Sequence, residues 1–433
     1  MAKFQRFTLL FLSLILWAVS PSAHAHSNNT TLWVITDVHH FAPSLQDEGE
    51  SFERFQTTTA GMDIKYGSLR LQALVNKIEQ LPPTKRPETL IISGDLTVNG
   101  ERDSLIDLLN YMDQLKALNV NVYILPGNHD IASKWARQFK AKETLPTDPI
   151  LIEDYANLIA NYGPNESIAR HNLHYVIQVR PDMRLLLLDT NKYPTDGSLA
   201  VPVSGGQLTT DDLQWIEDQL QEASHSNLET MVIMHHNALI HYSHRQSDIP
   251  LDQLETLQQL IFKYKVPLIL SGHTHAQHID EMTQDDHNVY EVITGAFSVL
   301  DNPIGVIQID DSQISYHRES LQVTEYINTL FNYSTYMERI FDESTSRALG
   351  VDLIYSLDKE RYNADNVLSL VQDMNRAFFT GKMTEMYPIF QKQYGSLYDQ
   401  MMEDDHFPMK RYLYLMDQQR HHDHQTLTIP RHH

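Results

Sequence analysis

Residues 120–130 read Val-Asn-Val-Tyr-Ile-Leu-Pro-Gly-Asn-His-Asp, an apolar run that ends in a short polar turn. The run from Val120 to Leu125 is rich in β-branched and aromatic side chains, which predicts a buried strand. Open α/β sheets bind ligands at the rim of the sheet, beyond the carboxyl ends of the strands. We therefore expect the amide of Asn128 and the imidazole of His129 to lie at such a rim, where an α/β protein carries its functional site.

Four further polar clusters follow apolar runs in the same way. They are Asp37-Val38-His39, Gly94-Asp95, His235-His236 and Gly272-His273-Thr274-His275. The apolar runs predict further strands at residues 32–36, 89–93, 175–179, 185–189, 231–234 and 267–271, with shorter candidates at 305–309 and 314–317. A single cluster of this kind is usually a turn or a structural residue. Five clusters at the ends of strands predict one shared site.

Apolar residues at helical spacing lie between the predicted strands. Leu71, Leu74, Val75 and Ile78 share one face of a predicted helix, and residues 105–115 and 254–264 repeat the pattern. The alternation of strands and helices predicts an α/β core in which helices cover a sheet or paired sheets.

The sequence changes character near residue 323, where strand patterning gives way to Tyr, Met, Leu and Gln. We interpret this region as three to five helices in a separate or docked bundle. The segments His421-His422-Asp423-His424 and Arg431-His432-His433 could bind metal loosely, but a solvated, disordered tail is the simpler expectation. The predicted domains are a signal peptide over 1–25, a catalytic domain over 26–322 and a C-terminal helical domain with a His-rich tail over 323–433.

The first residues have the pattern of a secretory signal. Lys3 and Arg6 precede an apolar run over residues 8–19, and the triplet from Ala23 to Ala25 predicts cleavage after Ala25. An uncleaved membrane anchor is the alternative, but the run is short against the roughly 20 residues that span a bilayer. The mature chain is expected to be soluble and exported, to the periplasm or the exterior, without a stable membrane span.

The composition limits the chemistry and the partners. The chain of 433 residues has no Cys, so metal ligands must come from His, Asp, Glu and Asn. Its formal net charge is −23. An acidic surface repels polyanions, so extended nucleic acid is not an expected partner, whereas a small phosphorylated substrate in a metal-lined pocket is compatible with this charge.

The residue types in the clusters suit a two-metal site. Two divalent ions about 3.5–4 Å apart can generate a nucleophile from water and stabilise the charge that develops on a phosphoryl group. Asp37 and His39 are two residues apart after a strand, as are His273 and His275, so each pair can point the same way. A two-metal pair also needs a carboxylate able to bridge, and the clusters supply that inventory. The N and O ligands suit Fe, Mn or Zn, and the clusters together predict a two-metal hydrolase.

Taken in order, the five clusters resemble the signature of the metallophosphoesterase, or calcineurin-like phosphoesterase, superfamily over roughly residues 30–310. This resemblance implies a four-layer α/β/β/α sandwich with a dinuclear centre at the edge of the sheets, followed here by an all-α helical domain. It implies one metal held by Asp37, His39, Asp95 and His275, and a second held by Asp95, Asn128, His235 and His273.

The resemblance also implies catalytic roles beside the metals. A hydroxide that bridges the metals would attack phosphorus, and His129 would protonate the departing oxygen. Asp130 would orient the imidazole of His129 or cap a following helix. His236 is the alternative to His235 as a ligand. The family offers no role for six other histidines, which are expected to be polar loop residues: His40, His171, His174, His241, His244 and His278.

A narrower resemblance concerns the substrate. Residues 36–45, 93–101 and 125–130, together with the helical C-terminal region, are similar to exported bacterial 3′,5′-cyclic-nucleotide phosphodiesterases. This implies hydrolysis of small phosphodiesters, with a cyclic nucleotide as the expected substrate. Some of those relatives carry a lipobox cysteine, which this chain lacks. The alternatives are a phosphomonoesterase or nucleotidase with the same metal centre, and a catalytically silent surface protein that binds metal or a partner.

Overall fold

The computed structural model describes residues 29–194, 196–241, 251–329 and 331–431. The predicted signal peptide over 1–25 lies outside the described residues, as do His244, His432 and His433. No helix within the described ranges is long and apolar enough to cross a membrane.

Fifteen strands are found in the described part of the chain, and the predicted strands match them to within a few residues. The strands are β1 (Thr30–Ile35), β2 (Thr89–Ser93), β3 (Asn121–Leu125), β4 (Arg137–Lys140), β5 (Glu143–Pro146), β6 (Ala169–His171), β7 (His174–Arg180), β8 (Met183–Leu188), β9 (Glu229–Met234), β10 (Leu268–Ser271), β11 (His278–Gln284), β12 (His287–Ile293), β13 (Pro303–Ile309), β14 (Gln313–Ser320) and β15 (Thr426–Pro430).

The helices in the described residues fall into a group between the strands and a group that follows β14. They are α1 (Glu50–Gln56), α2 (Gly67–Gln80), α3 (Arg102–Ala117), α4 (Ile152–Leu158), α5 (Thr210–His225), α6 (Leu254–Lys263), α7 (Val323–Tyr326), α8 (Tyr333–Ser356), α9 (Ala364–Phe379), α10 (Met383–Glu403) and α11 (Lys410–Gln418). The helix predicted from Leu71 to Ile78 is α2, whose buried face includes all four predicted positions.

Two mixed sheets form the centre of the fold. The first has the strand order β15-β14-β13-β1-β2-β3, and the second has the order β11-β12-β10-β9-β8-β7-β6. Within the first sheet β1, β2 and β3 are parallel neighbours, and within the second β8, β9, β10 and β12 are parallel. The parallel strands therefore bring their carboxyl ends to one edge of each sheet.

Three hydrophobic cores hold the layers together. The core between the sheets contains inward-facing residues of both, such as Val34 and Ile91 from the first and Leu185 and Ile233 from the second. A second core joins the outer face of the first sheet to α2 and α3, and a third joins the outer face of the second sheet to α5 and α6. The predicted four-layer α/β/β/α sandwich is confirmed.

Helices α8 to α11 follow the sandwich, as predicted for the C-terminal region. They share a core of their own, to which Ala276 of the sandwich contributes, and the backbone N–H of Gln277 donates to the carbonyl of Phe379 at the end of α9. The helices are therefore docked against the sandwich beside the Gly-His-Thr-His turn. Helix α10 is kinked at Gly395.

The end of the chain is not the solvated tail that the sequence suggested. Residues Thr426–Pro430 form β15, which pairs antiparallel with β14 at the edge of the first sheet. His424 is buried, and its ring stacks on that of His278 with centroids 4.1 Å apart. Arg431 is buried and bonds Glu229 and Asp182. The expectation of a disordered tail is wrong over the described residues because these partners lie in remote parts of the sequence.

Candidate metal centre

The five polar clusters meet where the two sheets present their carboxyl ends. Asp37, Asp95 and Asn128 follow β1, β2 and β3 of the first sheet, and His235 and His273 follow β9 and β10 of the second. Each lies within three residues of the end of its strand. The site is thus built by both sheets, at the edge that the sequence predicts.

Four side chains form one group that could hold a metal ion. The ligand atoms of Asp37, His39, Asp95 and His275 all lie within 4.8 Å of one another. The Nε2 atoms of His39 and His275 are 3.2 Å apart, and Asp37 Oδ1 lies 3.3 Å from the Nε2 of His275. The carboxylates and imidazoles therefore converge on one point.

A second group shares Asp95 with the first. It comprises Asp95, His235 and His273, again with ligand atoms within 4.8 Å of one another. The amide oxygen of Asn128 lies 3.2 Å from the Nε2 of His235, which places it beside this group. The Nδ1 of His235 faces the carbonyl of Ser93 at 2.9 Å, so its Nε2 is the nitrogen that points into the site.

One oxygen of Asp95 faces both groups. Its Oδ2 lies 3.6 Å from the Nε2 of His39 and 3.4 Å from the Nε2 of His235, whereas its Oδ1 accepts a hydrogen bond from the backbone N–H of His129. A carboxylate in this position can contact two cations at once.

The donor atoms of the site fit divalent cations. Asp37 is fully buried, and its Oδ2 accepts bonds from Thr36 and from the backbone N–H of His273, while its Oδ1 faces the Nε2 of His275, at 3.3 Å. A buried carboxylate oxygen with so few partners leaves room for a cation beside it. Oxygen and nitrogen ligands of this kind suit Fe, Mn and Zn alike.

Glycines let the loops approach so closely. A Cβ at Gly127 would lie 2.2 Å from Asp95 Oδ1, and a Cβ at Gly94 would lie 2.4 Å from the Nδ1 of His235. Gly94 also has φ of 105°, a conformation that side chains other than glycine rarely adopt. Both positions therefore require glycine for the ligands to come together.

Burial and mutual charge shift the pKa values of the site. Burial lowers the pKa of His39 and of His273 to about 3, so both imidazoles are neutral, as ligands must be. Burial tends to raise the pKa of Asp37, but the charge and hydrogen bond of His275 outweigh it and lower the value to about 2. Burial tends to lower the pKa of His235, but Asp95 outweighs it and raises the value to about 9. A cation that binds there must displace this proton.

His129 lies at the open side of the site. The residue is half-buried, and its ring centroid is 5.3 Å from that of His39. Its Nδ1 lies 2.8 Å from the carbonyl of Val98, an acceptor, so Nδ1 carries a proton and donates it. The Nε2 of His129 is left available to a substrate.

Asp130 does not play the predicted role. Its carboxylate accepts four bonds, from the backbone N–H groups of Gly127, Leu96 and Thr97 and from the hydroxyl of Thr97. No helix starts directly after it, since the next element is β4. The predictions that Asp130 orients the His129 imidazole or caps a helix are wrong, because the carbonyl of Val98 holds that ring. Asp130 instead ties the Gly-Asp turn to the Gly-Asn-His-Asp turn.

His236 lies outside both groups. It is fully buried, and its Nδ1 bonds the hydroxyl of Thr190 at 2.8 Å. Its ring packs against that of His273, with centroids 4.6 Å apart. His236 therefore packs beside the second group, and of the two histidines His235 is the one that belongs to it.

Several of the remaining histidines are structural rather than polar loop residues, contrary to expectation. His171, His174 and His278 lie in strands β6, β7 and β11, and His174 and His278 are buried. His40 is buried and bonds Asp107 at 2.6 Å. The Nε2 of His241, also buried, lies 2.9 Å from a carboxylate oxygen of Glu291. Of the described histidines in this set, none belongs to the two ligand groups.

The sequence is similar to known phosphoesterases. A family model described as calcineurin-like phosphoesterase matches residues 30–277. The chain is 25% identical over 257 residues to a 3′,5′-cyclic-nucleotide phosphodiesterase of Nostoc sp. (strain PCC 7120), a match that covers 59% of this chain and 74% of the relative.

A second relative and one solved structure are also similar. The chain is 27% identical over 208 residues to a protein of Arcobacter nitrofigilis named "Probable glycerophosphodiester phosphodiesterase"; this covers 47% of the chain and 63% of the relative, less than two thirds of its length. A dimetal phosphatase from Danio rerio superposes with a TM-score of 0.48 at 14% identity, over 67% of this chain and 96% of that chain.

Proposed function

The chain belongs to the calcineurin-like phosphoesterase family, and we propose that it is an exported phosphodiesterase that hydrolyses small phosphodiesters at a centre of two divalent metal ions. Membership confirms the family resemblance seen in the sequence and makes the chain a hydrolase of phosphoesters. Asp37, His39, Asp95 and His275 hold one ion in this proposal, and Asp95, Asn128, His235 and His273 hold the other. The observation that carries the proposal is the position of Asp95 Oδ2 between the two groups.

Two divalent ions held there would supply the Lewis acidity and the positive charge that phosphoester hydrolysis requires. The residues of the chain supply the rest. Asp95 fixes the separation of the two groups, and the half-buried Asn128, His129, His273 and His275 line the side from which a phosphoryl group can enter.

His129 acts as the general acid in this proposal. When its imidazole carries both protons, Nδ1 donates to the carbonyl of Val98, and Nε2 can pass its proton to the oxygen that leaves phosphorus. The bond between phosphorus and that oxygen breaks as the proton is transferred, and the product leaves as an alcohol. The bond to Val98 keeps the ring in the same orientation before and after the transfer.

The favoured substrates are 3′,5′-cyclic nucleotides. Support comes from the relative in Nostoc, whose name states that activity, and from the net charge of −23, which disfavours extended polyanions. Glycerophosphodiesters are the next class to examine because of the relative in Arcobacter nitrofigilis. Export is supported by the N-terminal apolar run, and sequencing the secreted protein should give a first residue of His26.

The test compares ester classes on one preparation. The full chain is stripped with a chelator and reloaded with Mn²⁺, and the hydrolysis of bis(p-nitrophenyl) phosphate, p-nitrophenyl phosphate, 3′,5′-cyclic AMP and glycerophosphocholine is measured. We expect the diesters to be hydrolysed faster than the monoester. Asp95→Ala, purified in the same way, controls for contaminating phosphatases. A faster rate on the monoester would replace the proposal by a phosphomonoesterase, and no rate on any ester would leave a silent metal-binding protein.

A further inference from the structure

We propose that the C-terminal helices help to position the ligands of the first metal group. Tyr333 and Tyr336 of helix α8 hold a buried ion pair between Asp63 and Arg70. That ion pair fixes the turn that carries Asp37 and His39. Arg70 and Asp63 are thus positioning residues. The inference rests on the metal centre proposed above, but it does not depend on which ester is the substrate.

The turn from Asp37 to His39 needs support because its backbone is strained. Asp37 has φ of 50° and His39 has φ of 42°, in the left-handed region that residues other than glycine adopt at a cost. Such conformations persist only where the surroundings hold them. The N–H groups of Asp37 and His39 donate to the carbonyls of Gly94 and Asp95, which secures one side of the turn.

The carbonyls of the turn are held from the other side. Both the backbone N–H and the hydroxyl of Ser298 donate to the carbonyl of Asp37, at 3.3 and 2.9 Å. The Nη2 of Arg70 donates to the carbonyl of Val38 at 3.4 Å. Arg70 is a residue of α2, so a helix of the outer layer reaches through to the metal-binding turn.

Arg70 is held by a buried carboxylate. The side chains of Arg70 and Asp63 are both 0% exposed, and the Nη1 of Arg70 lies 2.6 Å from Asp63 Oδ2 and 2.8 Å from the carbonyl of Asp63. The backbone N–H of Asp63 donates to the carbonyl of Ser298. Asp63 is therefore linked to both residues that hold the turn. Breaking a buried pair of this kind leaves one charge without compensation.

Helix α8 completes the arrangement. The hydroxyl of Tyr333 donates to Asp63 Oδ2 at 3.0 Å, and that of Tyr336 donates to Asp63 Oδ1 at 3.2 Å. Tyr333 is buried, and its oxygen also accepts a bond from Arg70. The two tyrosines are three residues apart and so lie on one face of the helix. Each oxygen of the buried carboxylate thus has a tyrosine partner from the C-terminal region.

A second contact from the C-terminal region reaches the other turn of the same group. The backbone N–H of Gln277, two residues after His275, donates to the carbonyl of Phe379 at the end of α9, and Ala276 is part of the core of the C-terminal helices. Asp37, His39 and His275 therefore all lie on turns that these helices contact, and of the second group His273 shares the turn of His275. His235, by contrast, is fixed by Ser93, within the first sheet.

The difference between the two groups gives the test. Tyr333→Phe/Tyr336→Phe removes two hydroxyls and keeps both rings, and Arg70→Met removes the guanidinium. Chelator-stripped full-length protein is titrated with Mn²⁺ by calorimetry. Loss of residues that support metal ligands typically weakens affinity by about 10–100-fold. We expect this loss in the first group and a smaller loss in the second, since of the ligands specific to the second group only His273 shares a turn with the first. Lys77→Met is the matched control, because Lys77 lies on α2 but pairs with Glu319 on β14.

The two sites are distinguished with His275→Ala and Asn128→Ala, each of which lacks a ligand of one group only. The inference is overturned if the wild type binds two ions and the double tyrosine variant binds both with wild-type affinities, an outcome that leaves the metal centre intact. It is also overturned if both affinities fall equally, since that indicates general loosening. A wild type that binds no ion overturns the metal centre itself. If Arg70→Met does not fold, the double tyrosine variant decides.

Discussion

The carboxylate of Asp130 joins the Gly-Asp turn to the Gly-Asn-His-Asp turn, and its replacement by Asn and by Ala should destabilise the fold to very different extents. Oδ2 accepts from the backbone N–H groups of Leu96 and Gly127, at 3.1 and 2.8 Å. Oδ1 accepts from the N–H and the hydroxyl of Thr97, at 2.9 and 2.8 Å. Asp130 is fully buried, so water does not readily replace these bonds.

The magnitude follows from the donors that each variant leaves unpaired. In Asp130→Asn the amide oxygen can still accept from Leu96 and Gly127, so of the three backbone donors only the N–H of Thr97 loses its partner. The hydroxyl proton of Thr97 loses its acceptor in both variants, so this cost is common to them. One buried unpaired donor costs about 1–3 kcal/mol. In Asp130→Ala three backbone N–H groups lose their partner, which costs about 3–9 kcal/mol by the same reasoning. Since domains are stable by about 5–15 kcal/mol, the Ala variant is near the limit of folding.

The assay is urea denaturation of chelator-treated protein, so that bound metal does not add to the free energy of unfolding. Asp148→Asn, at an exposed position, is the control and should change stability by less than about 0.5 kcal/mol. The reasoning is refuted if Asp130→Asn and Asp130→Ala destabilise equally, or if neither lowers the free energy of unfolding. A loss of turnover without any loss of stability would instead restore a direct role beside His129.

Two further predictions concern His129 and His424. His129→Ala should lower turnover by about 10²–10⁴-fold through loss of the general acid, while both metals remain bound. Diester kinetics and metal analysis of the same preparation measure the two effects. Loss of metal in this variant would contradict the assigned role. Burial lowers the pKa of His424 to about 4. Below about pH 6.5 the unfolded chain therefore binds a proton at this residue that the folded chain does not bind. The free energy of unfolding should fall by up to about 3 kcal/mol as the pH is lowered from 6.5 to 4. Urea midpoints at pH 7.5 and 5 measure this. His424→Asn should reduce the dependence, to which His39 and His273 also contribute, and an equal dependence in the variant would refute the prediction.

Local patterns were enough to predict much of the sandwich and the composition of the site. The strand predicted at residues 89–93 is β2 residue for residue, because a short apolar run there ends sharply at Gly94. Each cluster of ligand candidates follows a predicted strand, and the carboxyl ends of such strands meet at one edge of a sheet. This position at the strand ends is what predicted their proximity. The resemblance to a family supplied the division into two groups, which residue spacing alone does not give.

The features that the sequence did not predict depend on remote partners. Strand β15 is a five-residue run whose partner β14 lies more than a hundred residues earlier, and nothing in the run itself specifies that pairing. Arg70 looks like a solvent-facing charge on a helix, yet it is buried between Asp63 and Tyr333. Tyr333 lies 263 residues away in the sequence, so the pattern around Arg70 does not reveal this contact. The sequence points from Asp130 to its neighbour His129, whereas Leu96 and Thr97, which its carboxylate bonds, lie 34 and 33 residues earlier.

The metal content of the wild type and of Asp95→Ala tests the central claim most directly. Both full-length proteins are stripped with a chelator, dialysed against buffered Mn²⁺ and analysed for bound metal per chain. Because Asp95 Oδ2 faces both groups, we predict two ions in the wild type and the loss of both in Asp95→Ala. A wild type with one ion or none, or an Asp95→Ala variant that retains two, would contradict the bridged two-metal centre.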